Sequence, residues 1–191
     1  MHRLFVAIRP PAAVMDALID TTDGIDGARW QSEDQMHLTL RFVGEVERPL
    51  ANDLAEALAA VRAPSFTLQV AGTGHFERKG RPHTVWASVL PSPGLDLLQG
   101  RVERACQSVG LPRETRKFVP HVTLARLSGG AGPIAPWLAD TGTLQVPEWQ
   151  VDGFTLYESH LGKAGALYQP AADYPLGDTE IAAVPVNRTG R

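Results

Sequence analysis

The sequence predicts an α+β fold made of two related halves, and three observations carry that reading. Extended runs of alternating or β-branched residues are interleaved with apolar stripes of helical period. The tetrad His-x-Thr-x occurs twice, as His37-Leu38-Thr39-Leu40 and His121-Val122-Thr123-Leu124. The order strand, helix, His-x-Thr-x strand, helix, strand also recurs, reaching a Phe-Thr-Leu at residues 66–68 and again at 154–156. A duplication of this kind commonly packs its halves about a pseudo-two-fold axis.

Residues 4–8, Leu-Phe-Val-Ala-Ile, read as a central strand ended by Arg9-Pro10-Pro11, where a helix whose first turn tolerates proline begins. Val14, Met15, Leu18 and Ile19 give that helix its buried stripe. A glycine-rich turn at 23–27 and a short extended piece at 28–30 lead to the first His-x-Thr-x strand, closed by Gly44. A second helix over 49–61 carries Leu50, Leu54, Leu58 and Val61 on one face. Residues 66–70 and 84–89 alternate as strands should, and the polar, basic stretch 72–83 between them reads as a loop. A third helix over 95–109 precedes the second His-x-Thr-x strand. A shorter helix over 134–139 and strands over 149–159 and 167–174 complete the order.

Within a strand, successive side chains turn to opposite faces. His37 and Thr39 therefore share one face, His121 and Thr123 another. Leu38, Leu40, Val122 and Leu124 point away into a core. Continued alternation puts Arg41 on the His37 side and Phe42 in the core; it puts Arg126 on the Val122 side unless a bulge turns it inward.

Composition narrows the function. The 191 residues, 43% of them hydrophobic, suffice for an adequate core. A net charge of −3 argues against coating nucleic acid through counterion release, though a nucleic-acid end or a nucleotide remains a suitable partner. The single cysteine, Cys106, falls on an apolar helical stripe and reads as packing. With no signal-like N-terminal run and no stretch of about 18 apolar residues, a cytoplasmic protein without membrane contact is expected.

Two opposed His/Thr pairs suit phosphodiester chemistry. One imidazole deprotonates the attacking water while the other protonates the departing oxygen, and each threonine hydroxyl donates to a non-bridging phosphate oxygen. Nothing in this scheme requires a metal or cofactor. A zinc site is the rival and needs a third ligand; His75, His83 and His160 are available but belong to no repeated motif. Arg78, Lys79 and Arg81, with Arg113, Arg116 and Lys117, form a basic set that suits either an RNA backbone or plain solvation. Trp30, Trp86, Trp137 and Trp149 sit among apolar alternations and read as core.

The segments 36–46 (MHLTLRFVGEV) and 118–126 (FVPHVTLAR) resemble the paired signatures of the two-histidine phosphoesterase superfamily. Within it, Gly80-Arg81-Pro82 before Val85-Trp86-Ala87 and Tyr157-Glu158-Ser159-His160-Leu161 before Gly165 and Tyr168 look like the RNA 2′,3′-cyclic phosphodiesterases, also called 2′-5′ RNA ligases or LigT-like proteins. The resemblance implies a bilobal, pseudo-two-fold duplicated fold with two antiparallel β-sheets lining a central cleft and helices on the outside. The likeness covers roughly residues 4–176, giving one such domain over residues 1–177, and the weak patterning that follows predicts a loosely ordered tail over 178–191. The activity implied is metal-independent hydrolysis of RNA 2′,3′-cyclic phosphate ends, or of small cyclic nucleotides, to 2′-phosphomonoesters by a monomer. By the family pattern His37 is the proton donor, His121 the proton acceptor, and Thr39 and Thr123 hold the phosphate. Arg41, Arg126 and Tyr168 are further candidate substrate-binding residues. His83 and His160 stand where many relatives have arginine. The alternatives are a non-catalytic nucleotide-binding module and reversible 2′-5′ RNA ligation at the same site.

Overall fold

The computed structural model describes residues 1–162 and 165–177; the tail expected at 178–191 lies outside the described residues. In chain order the elements are β1 (His2–Ile8), α1 (Ala12–Ile19), β2 (Ala28–Trp30), a 3₁₀ turn (Glu33–Gln35), β3 (Leu38–Val46), α2 (Arg48–Ala59) and β4 (Phe66–Leu68). Then follow β5 (Val70–Arg78), β6 (Arg81–Val89), α3 (Pro93–Ser108), β7 (His121–Leu127), α4 (Ala135–Thr141), β8 (Trp149–Val151), β9 (Gly153–Gly162) and β10 (Gly165–Pro175).

The fold is α+β, and every strand pairing is antiparallel. The main array runs β10-β9-β1-β3-β7-β6-β5, with β2 on β7. It is two sheets fused at a seam, because β3 and β7 share the single pair Leu38↔Val122. β4 and β8 make a separate two-stranded sheet. The symmetry is that of an exchanged pair: the chain leaving α2 runs through β4 into β5, which pairs with β6 of the other half, while the chain leaving α4 runs through β8 into β9, which pairs with β1.

One side of this array is the core. Leu4, Val6, Ile8, Leu38, Leu40, Val122 and Leu124 pack there under Val14, Met15 and Leu18 of α1, Leu54 and Leu58 of α2 and Leu95, Leu98 and Val102 of α3. Burying each such side chain contributes roughly 1.5–3 kcal/mol. Cys106 is buried among them, and burial raises its thiol to about 11. Trp137 and Trp149 are core residues as expected, whereas Trp30 and Trp86 are half-buried.

Two expectations are corrected. The stretch read as a loop at 72–83 is a hairpin of β5 and β6, turning at Lys79 and Gly80, whose φ values of 53° and 72° are those of a two-residue hairpin turn. Its glycines hid the strand: the Trp86 ring lies across Gly74, where a Cβ would come within 2.3 Å of the indole. The repeated Phe-Thr-Leu is also not a symmetric pair. Phe66 pairs with Val151 and Leu68 with Trp149, so β4 corresponds to β8, while Phe154 lies in β9.

Gly74→Ala is expected to push Trp86 out of place and cost about 1–3 kcal/mol of stability, read from urea unfolding; an unchanged midpoint would contradict this packing.

Candidate active site

The seam dictates the site. In an antiparallel ladder, opposition of Leu38 and Val122 sets His37 across from Thr123 and Thr39 across from His121. Leu38 and Val122 point into the core, so all four polar side chains face the other way, where they line one cleft of about 790 Å³. Diagonal neighbours of such a ladder lie about 7–8 Å apart. The two imidazoles therefore stand on either side of a space suited to a phosphodiester.

Each imidazole is held the same way. The His121 Nδ1–H donates to the Val119 carbonyl oxygen at 2.6 Å, and the His37 ring donates to the Gln35 carbonyl. Both acceptors lie two residues upstream. Since the carbonyl can only accept, the Nε2 of His121 is left as the basic nitrogen. Around His37 pack Phe5 at 4.6 Å, Tyr168 at 5.1 Å and Tyr157 at 6.5 Å; around His121 pack Phe76 at 4.9 Å and Trp86 at 5.9 Å.

These aromatic walls remove water, and that sets the charge state. Burial lowers His37 to about 4; the Gln35 hydrogen bond opposes the shift, while His121, Arg126 and Arg9 add to it. His121 is lowered too, first by burial and then by Arg126, against the Val119 hydrogen bond. Both shifts favour the neutral imidazole, beside the cation of Arg126.

Arg41, Phe42 and Arg126 depend on two bulges. Opposite β1, Leu40 is an extra residue, since Ala7 pairs with Thr39 and Val6 with Arg41. Alternation reverses there. Arg41 turns to the helix side, only 8% exposed, with Nε 2.8 Å from Glu103 of α3 and Nη1 3.3 Å from Glu114. Phe42 swings out into the cleft at 41% exposure. Plain alternation is corrected at both positions: Arg41 turns to the helix side and pairs with carboxylates, although it still lines the cleft, and Phe42 is not core. In β7 Leu124 is the extra residue, because Thr123 pairs with Trp86 and Ala125 with Val85. Ala125 is buried and Arg126 faces the cleft.

Tyr168, His83, Arg116 and Lys117 also line the cleft, whereas Arg78, Lys79, Arg81, Arg113, His75 and His160 do not. Among the described residues, no three His, Cys, Asp or Glu side chains are grouped as metal ligands, and no helix is long and apolar enough to cross a membrane. Reading the sequence missed Phe5, Phe76 and Arg3. For Phe5 a signal existed: residues 4–8 are apolar on both faces, so the second face had to be covered as well.

The family model described as the 2′-5′ RNA ligase superfamily matches residues 25–163. The chain is 36% identical over 140 residues to the RNA 2′,3′-cyclic phosphodiesterase of Aeropyrum pernix, covering 72% of this chain and 80% of that one. It is likewise 36% identical over 145 residues to the protein of the same name from Thermotoga maritima, covering 75% and 76%. Escherichia coli LigT complexed with 3′-AMP superposes with a TM-score of 0.75 at 27% identity, over 93% of this chain and 99% of that one.

An NMR titration of the ligand-free protein should find His37 near 4 and His121 below 6.5, and saturating inorganic phosphate should raise both, because the anion offsets Arg126. The sign for stability follows: the unfolded chain takes up the His37 proton first, so this contribution is intact above about 6.5 and is lost as pH falls toward 4. A His37 that titrates near 6.5 without ligand would contradict the buried site.

Proposed function

The chain belongs to the 2′-5′ RNA ligase superfamily, and from that footing we propose that it hydrolyses terminal 2′,3′-cyclic phosphates of RNA to 2′-phosphomonoesters. The observation that carries this reading is the seam, where one antiparallel pair presents two His/Thr sets to a single cleft. The names of the relatives support the substrate class.

In the proposed reaction, His121 accepts a proton from water through Nε2 as the water oxygen bonds to phosphorus. The bond from phosphorus to the 3′ oxygen breaks, and His37 gives that oxygen its proton. Thr39, Thr123 and Arg126 hold the non-bridging oxygens, whose charge the surrounding aromatic walls leave poorly solvated. The products are a 2′-phosphomonoester and a free 3′-hydroxyl. For His37 to act as an acid it must regain a proton, and the bound anion supplies the reason: its charge, added beside a cation and two neutral rings, raises the imidazole pKa. Tyr168 packs against the His37 ring and holds its orientation. With a 5′-hydroxyl in place of water, the same steps would open the cyclic phosphate onto that oxygen, giving a 2′-5′ linkage and a free 3′-hydroxyl. We take the protein to work as a monomer in the cytoplasm, and a single buried thiol suits that reducing compartment.

His37→Ala and His121→Ala are each expected to lower turnover of an oligoribonucleotide ending in a cyclic phosphate by at least about 100-fold, with the fold intact by circular dichroism. Near wild-type turnover in either variant would overturn that residue's role. Turnover should persist in EDTA. The active free enzyme carries one proton on the histidine pair, so kcat/KM should follow a bell centred below pH 6.5, while the bell for kcat lies higher. Coincident bells would contradict proton uptake on binding.

A further inference from the structure

The two bulges occupy equivalent places in the duplicated strands, at the second aliphatic residue of each His-x-Thr-x, yet they deliver different side chains to the cleft. In β7 the residue turned inward is Arg126, which sits close enough to both imidazoles to depress them. In β3 it is Phe42. The symmetry is broken at one position, a cation on one side and an aromatic ring on the other.

Phe42 is also held as a built surface rather than a loose side chain. Arg3, on the neighbouring strand β1, lies over its ring at 5.3 Å. Beneath it Arg41 Nη1 donates to the Phe42 carbonyl at 3.1 Å and to Glu114 at 3.3 Å, and Arg41 Nη2 donates to the Pro112 carbonyl. One buried guanidinium thus ties the Phe42 strand to the segment bearing Glu114, Arg116 and Lys117, the opposite lip of this end of the cleft. Arg116 is set by two hydrogen bonds to Glu114, at 3.1 and 2.7 Å. An aromatic face flanked by Arg3, Arg116 and Lys117 has the chemistry that single-stranded RNA seeks: a stacking platform with cations beside it for the backbone. In a protein of net charge −3, cations gathered at one cleft end focus an anionic chain there.

Distance decides which base. Leu38 marks the phosphate seat; with Leu40 an extra residue, Phe42 lies opposite Phe5, three residues along β1 from the partner of Leu38, about 10 Å away at the usual strand rise. The base of the reacting nucleotide is joined to its own cyclic phosphate through two ribose carbons, and its centre falls short of that span. We infer that Phe42 is a stacking subsite for the nucleobase one step upstream of the reacting nucleotide, so that the enzyme selects RNA chains over free cyclic mononucleotides. This inference rests on the function proposed above and assigns it a substrate class.

The test compares 2′,3′-cyclic AMP with di- and tetra-adenylates ending in a 2′,3′-cyclic phosphate, on wild type, Phe42→Ala and Phe42→Tyr. Wild type should prefer the dinucleotide to the mononucleotide in kcat/KM. Phe42→Ala should lower the ratio of dinucleotide to mononucleotide kcat/KM by about tenfold, a base-stacking magnitude, and Phe42→Tyr should restore it. Because Phe42 is exposed, neither variant removes core. Equal losses on all three substrates, no loss, or failure of Phe42→Tyr to restore the ratio would overturn the subsite. Failure of wild type to open any of the three would instead overturn the proposed function.

Discussion

Leu38 and Val122 oppose each other at the only residue pair that joins β3 to β7, and the site hangs on that contact. Both side chains are fully buried, so neither strand can slide by one residue without bringing a histidine into the core and a leucine or valine into the cleft. Burial thereby fixes the register, and the register fixes the chemistry: each histidine faces the other strand's threonine across the seam. Because only one pair is made, the two sheets splay apart on either side of it, and the opening between them is the cleft.

The same constraint governs charge. Seating the histidines next to a two-sided aromatic wall strips them of water, and Arg126 then finds them neutral. An anion in the cleft meets a fixed cation, two threonine hydroxyls and imidazoles ready to take up protons. Arg41 lines the same cleft but is paired with carboxylates. Buried against Glu103 and Glu114, it ties β3 to α3 and to the segment entering β7, a second tie between halves that are joined by so little sheet. The segment's Glu114 is itself held down to about 2 by its hydrogen bonds to Arg116, so that carboxylate stays charged across the working pH range.

Much of this was legible in the residues, and the limits have physical causes. Five residues of strict alternation at 36–40 and at 120–124 place both His/Thr sets and their aliphatic backing, because a strand with one buried face has no freedom of register. One residue later the reading fails. A bulge leaves no composition signal, since Leu40 and Leu124 look like any other inward residue; only the partner strand shows that they are extra. Arg41 and Phe42 consequently exchange places relative to plain alternation. The hairpin of β5 and β6 escaped because its glycines serve the Trp86 ring rather than a loop, and the Phe-Thr-Leu repeat misled because exchanged strands carry the symmetry one element earlier, at β4 and β8.

The central claim is that the histidines address one phosphorus from opposite sides, so that water enters as the 3′ oxygen leaves. Its most direct measurement is the stereochemical course at phosphorus, using a single diastereomer of a 2′,3′-cyclic phosphorothioate opened in ¹⁸O-labelled water. One in-line displacement between opposed groups predicts inversion of configuration. Retention would require two displacements through a phosphorylated side chain and would contradict the account.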